Sequence, residues 1–160
     1  MEITVLKQYR NVIAALVVGI AMASGSIAAD KKITRAQLPA AVERTVAQQS
    51  QGAVIKGFST GTEAGKTVYE MELTVDGHGK DISMDAQGNV LEIEEEVALA
   101  SLPAVVQAGL TRAAGAGKIV KVESLSKQGK LVAYEADVQS GKKRREIQVG
   151  PQGQKLAHPE

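Results

Sequence analysis

Four carboxylates occur in two matching settings, Glu70 and Glu72 in Tyr69-Glu70-Met71-Glu72, and Glu135 and Asp137 in Tyr134-Glu135-Ala136-Asp137. Two positions apart on an extended chain, the members of each pair leave the same side of the backbone about 7 Å apart. Such a pair can meet a cationic partner or share a hydrated cation, although it enforces no coordination sphere, and a solvated strand face is the plainer explanation. The opposite charge is gathered in Lys142-Lys143-Arg144-Arg145. That run could touch a polyanion or anionic headgroups, or equally the acidic run Glu92, Glu94, Glu95 and Glu96 of the same chain. The candidate binding residues are therefore Glu70, Glu72, Glu135, Asp137, Lys142, Lys143, Arg144 and Arg145.

No catalytic constellation accompanies them. Acid–base or nucleophilic chemistry needs a positioned base beside a reactive group. His78 lies between two glycines and His158 lies near the chain end, and neither has a counterpart in the other half of the sequence. No zincin spacing occurs. Asp85-x-x-Gly88 has part of the look of a calcium loop but lacks oxygen ligands at alternate positions, so a β-turn accounts for it better. The chain has no cysteine, which removes thiolate metal sites, Fe–S clusters and a cysteine nucleophile. With 3 Tyr, 1 Phe and no Trp, it offers little for base stacking, and nucleic acid is not an expected partner. No catalytic residue, metal ligand or cofactor is expected.

The N-terminus speaks to location. Lys7 and Arg10 precede an apolar run from Val12 to Ala23, which ends in Ser24-Gly25-Ser26-Ile27-Ala28-Ala29 before the charged start at Asp30. A basic region, an apolar stretch of about a dozen residues and a small-x-small site resemble a secretory signal peptide over residues 1–29. Cutting after Ala28 or after Ala29 would satisfy it. The run is shorter than the roughly 20 residues that span a bilayer, so no stable anchor is expected after cleavage. The expected destination is the periplasm or the medium.

Beyond the leader the sequence repeats. Leu38-Pro39-Ala40-Ala41-Val42 returns 64 positions later as Leu102-Pro103-Ala104-Val105-Val106, and Gly65-Lys66-Thr67-Val68 as Gly129-Lys130-Leu131-Val132. Tyr69-Glu70 then returns at an offset of 65 as Tyr134-Glu135, one residue having been added near Ala133. The expected units are residues 30–97 and 98–160. In each, apolar residues at helical spacing follow a proline, placing helix starts near Gln37 and Ser101, with Ser101 a plausible N-cap and Gly52 and Gly115 as stops. The period then falls to two. Strands are expected over 54–59, 69–75, 82–84 and 90–94, and over 119–126, 134–138, 147–149 and 155–157, with turns at Asp76-Gly77 and Ser140-Gly141. The expected class is α+β, two tandem repeats, each one helix packed on a three- to four-stranded antiparallel sheet. Units of roughly 60 residues are marginal alone; two sheets side by side or one continuous sheet would both relieve that.

The Leu-Pro-Ala-x-Val helix start, the Tyr-Glu strand and the Asp-x-x-Gly or Pro-x-x-Gly turn together resemble the PepSY-like family of exported bacterial proteins. The resemblance implies a helix on an antiparallel sheet, and the tandem arrangement is similar to the architecture of the β-lactamase inhibitory protein. Related modules occur in propeptides of secreted metalloproteases and in envelope proteins, where a peptidase-inhibiting role has been suggested. The family defines no catalytic residues. The expectation is thus an exported non-enzymatic binding or inhibitor-like module with a protein partner, modulating a periplasmic peptidase or another envelope protein. The competing expectation is an envelope sensor of metal or a cationic ligand.

The whole chain carries 19 basic and 18 acidic side chains, yet the charge is unevenly spread. Residues 30–97 hold 7 basic and 12 acidic groups, a balance of −5, and residues 98–160 hold 10 and 5, a balance of +5. If attraction between the halves docks them, thermal stability should fall as salt rises.

Overall fold

A computed structural model describes residues 31–160; the leader lies outside the described residues. Eight antiparallel strands follow one another in a single sheet, in spatial order identical to chain order. They are β1 (Lys31–Ile33), β2 (Val54–Glu63), β3 (Lys66–Val75), β4 (His78–Asp85), β5 (Val90–Glu96), β6 (Lys118–Lys127), β7 (Lys130–Ser140) and β8 (Lys143–Val149). Helix α1 (Ala40–Gln49) lies between β1 and β2, and α2 (Ala104–Ala114) between β5 and β6. Three connections are two-residue turns, Ala64-Gly65, Asp76-Gly77 and Gln128-Gly129, with both residues at positive φ. That is the type I′ geometry whose twist matches antiparallel strands.

The expectation of two tandem helix-on-sheet repeats is overturned by the pairing of β5 with β6. Glu92 faces Lys127, Glu94 faces Leu125 and Glu96 faces Glu123 across that junction, and the Val97 amide donates to the Val122 carbonyl at 2.9 Å. Both helices therefore sit on one continuous sheet. Alternation along a strand reports which of its sides meets a core, whereas the occupant of its hydrogen-bonding edge leaves no such signature. Two separate sheets would have left rows of unpaired amides and carbonyls at β5 and β6, which pairing removes.

On the helix-bearing face, Val42 and Val46 of α1 pack with Met71, Leu73, Ile82 and Met84, and Val106 and Leu110 of α2 with Val122, Ala136 and Val149. The chain turns after β4 and β8 press against the helix backbones. Gly88 has φ +80°, and a Cβ there would lie 2.5 Å from the Ala41 carbonyl oxygen; Thr45 Oγ1 donates to the Gly88 carbonyl at 2.7 Å. Gly153, at φ +71°, makes the corresponding approach to the carbonyl of Val105, and Gly109 of α2 contacts Gly153 itself. Only glycine allows both the left-handed backbone and that contact.

Other local expectations shift. The helices begin at Ala40 and Ala104, with Pro39 and Pro103 as N-caps, each preceded by a single 3-10 turn. Ser101 ends one of those turns, and its Oγ donates to the Ala98 carbonyl at 2.7 Å rather than capping α2. Residues 155–157 form no strand: one bridge joins Lys155 to Val149. Glu160 instead donates its amide to Gln148 Oε1 at 2.9 Å. The added residue of the second half lies at a β-bulge, where Leu125 faces Ala133, Ser126 faces Leu131 and Val132 has no counterpart.

Candidate functional site

The face of the sheet away from the helices is where the acidic residues meet. On β3 the residues alternate with buried Met71 and Leu73, so Glu70 and Glu72 project from this outer face. Register extends the row: Glu72 faces Asp81 on β4, and Asp81 faces Glu94 on β5. On the neighbouring strands Glu96 faces Glu123 on β6, and Glu123 faces Glu135 on β7. Like charges directly opposite each other are destabilising, and here four carboxyl pairs run across five strands.

At the centre, Asp81, Glu94 and Glu123 each bring a carboxylate oxygen within 4.8 Å of the others. Glu123 is 8% exposed. Lys121 Nζ lies 2.6 Å from its Oε1, in an ion pair rather than an aligned hydrogen bond. Burial works against the Lys121 ammonium, but Glu123, Asp81 and Glu96 outweigh it and hold the lysine charged. Glu94 has no such partner. Burial, followed by the fields of Glu135, Glu92, Glu123 and Asp81, pushes its carboxyl up to about 8. Asp81 is raised by burial and then by Glu72, and Glu135 by burial despite its hydrogen bond from Gln148. Three oxygens at this spacing could hold a cation, although Lys121 already claims Glu123.

The two expected carboxylate pairs share this face without forming one site. Glu70 and Glu72 on β3 and Glu135 and Asp137 on β7 are four strands apart, roughly 19 Å. Asp81, Glu94, Glu96 and Glu123 fill the gap between them; Glu94 and Glu96 belong to the acidic run, whereas nothing in the spacing of the sequence marks Asp81 or Glu123. Three of the four expected carboxylates are engaged internally. Glu135 Oε2 accepts a hydrogen bond from Gln148 Nε2 at 2.6 Å, and Asp137 is ion-paired to Arg144. Glu70 Oε2 lies 3.4 Å from Ser59 Oγ.

The basic run divides in two. Arg145 donates to the Ala113 and Ala114 carbonyls at 3.0 and 2.9 Å, supplying acceptors at the end of α2 with the donors they lack. Arg144 belongs to Asp137. Lys142 and Lys143, at the β7–β8 turn, are exposed and hold no ion pair among the described residues. Elsewhere, a cleft of about 160 Å³ is lined by Lys32, Lys56, Phe58, Glu70 and Glu72, below the roughly 300 Å³ at which pockets take drug-sized ligands. Among the described residues no helix is long and apolar enough to cross a membrane.

The fold is similar to that of a BLIP-like protein. That protein, from Bacteroides fragilis, matches with a TM-score of 0.55 at 20% identity, covering 74% of this chain and 83% of its own. A candidate periplasmic protein from Bacteroides eggerthii matches with a TM-score of 0.61 at 13% identity, over 73% of this chain and 84% of that one. A DUF2874 family protein from Bacteroides ovatus gives 0.59 at 16%, over 74% and 84%. No family model matches the chain, and no curated protein matches it. At these identities the likeness establishes a BLIP-like architecture alone.

Proposed function

We propose that this protein is an exported, non-enzymatic binding module that takes a cationic protein partner on its outer sheet face. One observation carries the reading: carboxylates from β3 to β7 stand opposite one another, with Lys121 ion-paired to Glu123 at their centre. A partner that lays lysines or arginines across the face would relieve repulsion the free protein sustains, giving electrostatic specificity. Export to the periplasm is supported by the leader over residues 1–29 and by the candidate periplasmic protein among the structural neighbours. The PepSY-like motifs and the BLIP-like architecture favour an inhibitor-like role toward an envelope peptidase, although fold alone does not fix function.

The test is capture from periplasmic extract on immobilised wild type and on E72K/E94K, with melting curves showing that both are folded. Proteins retained by the wild type, absent from the variant and released by salt support the reading. If the wild type retains nothing at physiological salt, the reading fails.

A second reading, a cation sensor, is favoured by the 4.8 Å approach of Asp81, Glu94 and Glu123. Calorimetry with calcium, zinc and copper decides it: heat that disappears in Glu94→Gln supports a cation at the triad, and no heat at millimolar metal removes it.

A further inference from the structure

The chain carries both an acidic face and a basic projection, and the fold keeps them apart. Lys142 and Lys143 sit at the β7–β8 turn, where Ser140 pairs with Lys143. Lys118 stands at the same end of the sheet, facing Gln139, which in turn faces Arg144. The turn cannot fold back onto the acidic row, because its backbone is locked in the ladder. Glu94 faces Leu125, which faces Ala133, so the tip lies about 8 residues along the strands and more than two strands across, roughly 30 Å away by strand geometry. A lysine side chain spans about a fifth of that. Lys127 reaches Glu92 across the junction between the halves, whose balances are −5 over residues 30–97 and +5 over residues 98–160, but Lys142 and Lys143 are left without an acidic partner among the described residues of their own molecule.

We propose that a second copy of this chain is a partner of the outer face, its Lys142–Lys143 turn seating on the Glu72–Asp81–Glu94 part of the acidic row. The inference rests on the reading of that face as the binding surface and names one occupant. Donor and acceptor surfaces differ, and in a head-to-tail contact the pair as a whole keeps one free acidic face and one free turn. Such contacts propagate into chains unless the rotation closes a ring. The near-zero total charge removes the long-range repulsion that would oppose the encounter.

Sedimentation velocity on the protein expressed from its full-length sequence tests this over a concentration series. At about 10 mM salt the Debye length is about 30 Å, and at about 1 M it is about 3 Å. The expected result is a sedimentation coefficient that rises with concentration at low salt, and loss of that rise at high salt. K142E/K143E alone and E72K/E94K alone should each sediment as monomers. Their mixture is the decisive arm. The first variant keeps an acidic face and the second a basic turn, and the two reversed surfaces also complement each other, so the mixture should regain the association that neither variant shows alone. A wild type that stays monomeric at low salt overturns the proposal, as does association of K142E/K143E equal to wild type, or no association in the mixture. Because K142E/K143E retains the acidic face, its continued capture of extract proteins would leave the proposed function standing while self-association fails.

Discussion

Asp81 on β4 and Glu94 on β5 are direct cross-strand partners, and the site they share makes Glu94 a carboxylic acid at neutral pH. Its carboxyl titrates at about 8 instead of 4.5. The folded protein thus holds a proton that the unfolded chain has released. Stability from this group is complete below about pH 4.5 and is lost as pH rises toward 8. The raised carboxyls of Asp81 and Glu135 act in the same direction. Between pH 5 and 9 the wild type should lose roughly 2 kcal/mol, well under the fully desolvated limit because Glu94 is half-buried. Urea unfolding across that range should show the slope, and Glu94→Gln should flatten it. A variant with undiminished slope would remove Glu94 from the account.

Gly88 and Gly153 are predicted to be intolerant of any side chain. Each combines positive φ with a backbone contact to a helix. Gly88→Ala or Gly153→Ala should cost about 2–4 kcal/mol. Gly65→Ala, at a turn with open space around it, should cost less because it incurs only the φ strain. Thermal midpoints of the three variants provide the comparison.

Arg145 and Lys143 are neighbours in the sequence run with different work. Arg145→Met should lower stability by about 1 kcal/mol, since it leaves two helix-end carbonyls without their donor. Lys143→Met should change stability by less than about 0.5 kcal/mol. Equal effects would mean that the contact to α2 is immaterial.

Raising salt should not lower the melting midpoint. The junction between the halves is a ladder of backbone hydrogen bonds from Glu92–Lys127 to Glu96–Glu123, which salt does not screen. Exposed ion pairs such as Lys127 with Glu92 contribute little, while screening relieves the crowded carboxylates. A midpoint that falls between about 0.1 and 1 M salt would restore charge attraction as the force that docks the halves.

The sequence by itself determined the local grammar. Apolar residues at period two announced the core sides of β3 and β7, and the prolines and glycines bracketed α1 and α2 to within a few residues. Asp76-Gly77 announced its turn because type I′ geometry demands positive φ at both positions. These features are legible because each depends on residues a few positions apart. Tertiary structure alone decided that β5 pairs with β6, making one sheet of eight strands. By that pairing it brought Asp81, Glu94 and Glu123 together from positions 13 and 29 residues apart. It also separated Arg145, which ends a helix, from Lys142 and Lys143, which reach into solvent. Register between strands is set by edges, bulges and turns acting together, and a carboxylate in the sequence carries no mark of which other carboxylates will face it.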